Sequence, residues 1–142
     1  MGRRLNPAAA ACLLLVLTLS SCAGPSTEEM GRNAIWEKAA EGKAWFTEFT
    51  AATDTANRVL VTSKLEGLGN PYDFGWDAEG DFYTDHYYRE HLTTSGGWWG
   101  EQRTVGACVQ FAVASGQVTS ASVDCPDKRP YSDHVDERVT VP

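Results

Sequence analysis

The sequence is short of positive charge, of long apolar runs and of local catalytic signatures. Lys and Arg together number 12 against 19 Asp and Glu, a formal net charge of −7. That balance excludes the basic face that phosphate recognition needs, and a nucleic-acid partner with it. No apolar run reaches the roughly 20 residues a helix needs to cross a bilayer. There is no G-x-S-x-G, no P-loop and no C-x-x-C, so the patterns of an α/β-hydrolase, a nucleotide-binding loop and a paired thiol site are all missing. The 142 residues allow one domain and argue against two, and a hydrophobic content of 42% is too high for a disordered chain.

What is present begins with an address. Met1 to Arg4 is a short positive segment, and Pro7 to Leu19 is almost wholly apolar; this is the order and length of a secretory signal. Leu19-Ser20-Ser21-Cys22 follows: an aliphatic residue, two small residues and a cysteine. The segment resembles the lipobox of bacterial lipoproteins, and the Ala-rich signal and Gly-rich loops are similar in texture to actinobacterial members of that class. The resemblance implies cleavage before Cys22, diacylation of Cys22 (palmitate among the acyl groups), and a lipid-anchored position on the extracytoplasmic side of the cell membrane. It divides the chain into a signal peptide at 1–21, a lipidated tether at 22–27, one domain at 28–126 and a loose C-terminal tail at 127–142. Removing residues 1–21 takes Arg3 and Arg4 away, leaving ten basic side chains against 19 acidic ones, a net charge of −9. Anionic headgroups repel such a surface, so the lipid and not the protein surface is expected to hold the domain to the membrane.

Cys12 leaves with the signal and Cys22 takes the lipid. Cys108 and Cys125 remain, and in an oxidising compartment a disulfide is the expectation. Residues 105–115 and 118–125 read as two strands joined by a type II′ turn at Gly116-Gln117. That turn pairs Ser115 with Val118 and sets Cys108 opposite Cys125 at a close, non-hydrogen-bonded position. The same register places Val109 and Phe111 opposite Asp124 and Ser122, which is poor apolar pairing. A one-residue slip would match Phe111 with Ala121 but misalign the cysteines. The turn chemistry favours the disulfide register.

Ser26 and Glu29 have capping-box spacing, and Ile35, Ala39, Gly42, Phe46 and Phe49 recur at helical steps. A helix is therefore expected from about Ser26, with Gly42 marking either weakness or close packing. The segment Arg58–Glu66 is ambiguous. Its β-branched residues suggest a strand, which is the reading preferred, whereas Phe49, Thr53, Ala56 and Leu60 would continue a helical phase. Asp77-Ala-Glu-Gly80 reads as a hairpin loop with Gly80 left-handed, followed by a Tyr-rich strand from Asp81 to Leu92. The expected class is α+β, with an N-terminal helix packed on an antiparallel sheet of four to five strands. In architecture alone this resembles small cystatin-like folds.

Nine of the fifteen aromatic residues fall between Tyr72 and Trp99. On a strand, Tyr83 and Tyr87 share one face while Phe82 and Tyr88 share the other. One face can fill a core; rings left on the other, beside Asp73, Asp77 and Asp85, could stack on sugar rings. Trp98, Trp99, Tyr87 and Tyr88 are thus the candidate ligand contacts, against the plainer reading of cross-strand packing. His86, Glu90 and His91 match neither H-E-x-x-H nor its inverse, and on a strand His86 and Glu90 stand about 13 Å apart, too far to share an ion. Asp77, Glu79 and Asp81 imitate a calcium loop, but Phe82 and Tyr88 stand where its Gly and Glu belong. No metal, cofactor or catalytic set is expected. The sequence points to a membrane-anchored binding or interaction module, not an enzyme. A cell-wall glycan-binding accessory is the alternative, another envelope protein a further partner class, and a small hydrolase the least favoured reading.

Overall fold

Ser26 starts the first helix, its hydroxyl accepting from the Glu29 amide at 3.2 Å while Glu28 and Glu29 place negative charge on the first turn. In the computed structural model, which describes residues 25–93, 100, 102–128 and 130–142, this helix, α1, runs Thr27–Ala52. Its buried stripe is Gly31, Ile35, Ala39 and Phe46, the phase expected from the sequence. No helix among the described residues is long and apolar enough to cross a membrane.

Residues 58–66 correct the sequence reading. Arg58–Leu65 is a helix, α2, not a strand. Asp54 Oδ1 accepts from the Ala56 amide, and Asn57 then caps α2 by accepting from the Leu60 amide at 3.1 Å. Only Val61 and Leu65, one turn apart, are buried, whereas Val59 is 82% exposed. Capping and a one-sided apolar stripe outweigh the strand preference of the β-branched residues.

The sheet has strands β1 (Asp73–Trp76), β2 (Phe82–Thr93), β3 (Gln102–Ala114) and β4 (Gln117–Val123) in that spatial order, all antiparallel. A short β5 (Glu137–Arg138) lies parallel to β3, pairing with Val105 and Gly106 beyond the reach of β4. The class is α+β, with α1 packed across one face of the sheet. The β1–β2 turn forms as read, with Gly80 at φ 89° and the Asp77 carboxylate accepting from the Asp81 amide. Along β2 the residues Phe82, Thr84, His86 and Tyr88 point to α1, and those between them to the opposite face. Ile35, Phe46, Val61, Phe82, Val105, Val109 and Phe111 make the core between helix and sheet.

Cys108 and Cys125 are disulfide-bonded, with Cα atoms 5.3 Å apart. Their register differs from the expected one. The β3–β4 turn is Ser115-Gly116, with both residues at positive φ (50° and 76°), the geometry of a type I′ turn. Val113 then pairs with Val118 and Cys108 with Val123. The shift is two residues, so every side chain keeps its face, and the one-residue slip is not adopted either. Two apolar residues now meet beside the turn, and Cys125 reaches Cys108 diagonally from beyond the end of β4.

The C-terminal segment is also corrected: it is tied down, not loose. The Val139 amide donates to the Gly106 carbonyl, the Asp136 amide to the Thr104 carbonyl, and the Val141 amide to Ser122 Oγ. The Trp36 indole donates to the Thr140 carbonyl, and Val139 is buried. This segment covers the outer face of the sheet, which explains why Val105 to Val109 are buried without alternation. A tail without periodicity was read as free, yet its anchors are backbone groups that periodicity does not register.

Candidate functional site

The strand alternation sends the candidate tyrosines to opposite sides. Tyr87 lies on the outer face, where Tyr131 meets it edge-on at 5.4 Å and Tyr131 in turn packs 4.6 Å from Tyr72. The Arg138 guanidinium sits 6.0 Å over the Tyr87 ring while donating to Cys125 Sγ and the Tyr131 carbonyl. These rings hold the C-terminal segment to the sheet. Beside them Asp73 and Asp85 stand opposite each other across β1 and β2. Burial raises the Asp85 carboxyl, a bond from Gln110 opposes that, and Asp73 adds to it. Burial and the same two carboxylates push the Tyr72 phenol up to about 12.

Tyr88 lies on the inner face, only 9% exposed, and its hydroxyl has no hydrogen-bond partner among the described residues. Burial, reinforced by the Glu41 carboxylate, pushes its phenol well above the ordinary value. The ring reaches α1 at Gly42, where a Cβ would stand 1.8 Å from the hydroxyl and 2.9 Å from Phe111. His86 is 3% exposed, 5.4 Å from the Trp45 ring, 5.0 Å from Phe111 and stacked on Tyr88 at 6.0 Å. One of its nitrogens, Nε2, shares a hydrogen bond with Thr84 Oγ1 at 3.0 Å. Burial lowers the His86 pKa to about 4, so the ring is neutral at pH 7.

A hollow of about 450 Å³ opens between α1 and β2 at this point. Its floor is Trp45, His86 and Tyr88. Lys38 and Glu41 border it from α1, and Asn70 closes it from the turn before β1. Lys38 is ion-paired to Glu90 and donates to the Arg89 carbonyl. Asn70 Oδ1 accepts from the Tyr87 amide at 3.4 Å, which leaves its amide nitrogen as the group able to donate elsewhere. An apolar floor with a few polar groups at the rim is the usual make-up of a small-molecule site. A larger hollow, about 600 Å³, runs along β3 between the ends of β4 and β5, but its cation, Arg138, is already committed to Cys125 and Tyr131.

The crowding at Gly42 gives a direct test. Gly42→Ala should cost about 1–2 kcal/mol, overpacking exceeding the roughly 1 kcal/mol that Ala gains in a helix. Tyr88→Phe should stabilise the ligand-free protein by about 1 kcal/mol, because it removes a buried hydroxyl without a partner. In the double variant the Gly42→Ala cost should shrink. Urea denaturation of the four proteins measures this, and equal costs in both backgrounds would place the clash elsewhere.

The residues singled out from sequence are thus divided. Tyr88 and His86 enter the hollow, Tyr87 and Asp85 lie across the sheet, and Cys22, Trp98 and Trp99 fall outside the described residues. Asp85, His86 and Glu90, the side chains a hydrolytic reading needs together, occupy two faces and an ion pair. Among the described residues no group of three His, Cys, Asp or Glu side chains is arranged to hold a metal ion. Lys38, Glu41, Trp45 and Asn70 were not singled out from sequence; Gly42, a glycine inside a helical stripe, was the one sign that something approaches α1 closely. Compared with protein-family models, curated proteins and solved structures, the chain matches none.

Proposed function

We propose that this chain is a lipoprotein of the bacterial cell envelope, cleaved before Cys22, held by lipid on that residue, and carrying an extracytoplasmic binding module. The observation that carries the reading is the order of positive segment, apolar segment and Leu19-Ser20-Ser21-Cys22 box, followed after only four residues by the start of α1 at Thr27. The Cys108–Cys125 disulfide supports an oxidising compartment. With so short a tether, the end of the domain next to the bilayer is the one where Glu28 meets Arg103 at 3.2 Å and Gly31 packs on Leu92.

Two partner classes suit such a module, a cell-wall glycan and another envelope protein. The hollow between α1 and β2 favours the glycan, because it offers a ring-sized concavity with an aromatic floor. The hydrolase reading draws no support from the dispersed Asp85, His86 and Glu90.

Cys22→Ala tests the anchor. Expressed in a bacterial host, the parent should sediment with membranes and incorporate labelled palmitate, while the variant should take up no label and leave the membrane fraction. A variant that stays membrane-bound would overturn the localisation.

A further inference from the structure

We propose that the hollow between α1 and β2 is a binding site for one uncharged saccharide ring, built on Trp45 and Tyr88 with Glu41 and Asn70 taking the hydroxyls. The inference deepens the binding-module reading above and rests on it. It moves the candidate contacts from Trp98, Trp99 and Tyr87 to residues on α1 and β2.

The chemistry of the lining selects the ligand. A buried polar group without a partner is uncommon and calls for a specific reason. The Tyr88 hydroxyl is such a group, and it lies at the wall of an open concavity instead of deep in a sealed core. Gly42 is what lets the ring come so far: any side chain there would occupy the space of the hydroxyl. Around it the rim offers both hydrogen-bond senses. Glu41 accepts, while Asn70 and the remaining proton of Lys38 donate. A sugar hydroxyl does both, and the apolar face of a pyranose matches the indole of Trp45, which Phe49 steadies by stacking at 5.4 Å.

Charged ligands fit less well. An anion would meet Glu41, and the Lys38 charge is already matched by Glu90. An organic cation would find aromatic rings, but it would also face the Lys38 ammonium on the same rim. The His86 ring contributes no charge at neutral pH and supplies a flat apolar wall.

The test uses the full chain purified in detergent, titrated with glucose, N-acetylglucosamine, glucuronic acid and tetramethylammonium, and read by calorimetry and Trp emission. At least one neutral sugar should bind saturably. Glu41→Gln, an exposed position that leaves packing alone, should weaken it about tenfold, the loss of one charge-assisted hydrogen bond. Tyr88→Phe should weaken it by a similar factor while leaving the protein folded, and Trp45→Phe should abolish the emission change. Saturable binding of tetramethylammonium alone would overturn the saccharide assignment but keep the hollow as a site. No saturable binding by any probe, or sugar binding indifferent to both Glu41→Gln and Tyr88→Phe, would overturn the site itself. Neither result touches the anchor, which the Cys22→Ala fractionation decides separately.

Discussion

Between pH 7 and pH 4 the protein should lose about 3 kcal/mol of stability through His86 alone. In the unfolded chain this imidazole protonates near its ordinary value, about 6.5. In the fold, burial among Trp45, Tyr88 and Phe111 lowers it to about 4. The unfolded state therefore binds the proton first as pH falls. The fold is undisturbed above the unfolded value and loses stability progressively down to the folded one. Other groups titrate nearby: Asp85, with its carboxyl raised by burial, pulls the opposite way, favouring the fold on acidification. Asp136, lowered by bonds from the Thr104 amide and His134, acts in the same direction as His86. The comparison that isolates His86 is the parent against His86→Phe, which keeps a ring in place and cannot titrate. That variant leaves the buried Thr84 hydroxyl without its ring partner, a roughly constant offset of about 1 kcal/mol at every pH. The slope, not the offset, carries the prediction. Urea unfolding at half-unit steps from pH 4 to 7.5 should give a parent curve that falls away from the variant's below about pH 6.5. Parallel curves would mean that the imidazole is solvated in the fold.

The position of His86 also shows what a sequence can and cannot announce. Its strand is plain from alternation, and the same alternation separates Tyr87 from Tyr88. The helix stripe through Ile35, Ala39 and Phe46 is equally plain, because periodicity reports which faces are buried. Periodicity does not report what covers the second face of a sheet. Residues 131–139 do so through backbone hydrogen bonds and the Arg138 guanidinium, neither of which leaves an apolar pattern. The α2 segment was misread for a related reason. Val59, Val61 and Thr62 carry strand preference, and the deciding features are the Asn57 cap and two buried residues one turn apart. The hollow was legible only through Gly42. Its other members, Lys38, Glu41 and Asn70, look like ordinary surface residues, and only the packing of α1 across β2 brings them beside Tyr88 and Trp45.

Removing the disulfide should cost about 3 kcal/mol, the chain-entropy value for closing a loop with a 17-residue separation. The loss should not be spread evenly. Cys108 sits in the middle of β3, flanked by β2 and β4, and those pairings survive without the bond. Cys125 lies past the end of β4, at the start of the C-terminal segment, and its sulfur accepts from Arg138 Nη1. The same guanidinium holds the Tyr131 carbonyl and lies over the Tyr87 ring. Cutting the bond therefore frees the segment at its root and loosens Arg138, its main polar clamp. The remaining anchors are β5 and the Val139 and Val141 amides. In the Cys108→Ala/Cys125→Ala variant, the amides of Asp136, Val139 and Val141 should exchange hydrogen much faster than in the parent. Those of Thr84, His86 and Tyr88 in β2 should change only by the global loss of stability. Equal acceleration in both groups would show that the bond stabilises the domain as a whole. Unchanged exchange at Val139 would show that β5 and its neighbours hold the segment without Arg138. Only the local pattern makes the disulfide the fastening of the C-terminal segment to the outer face of the sheet.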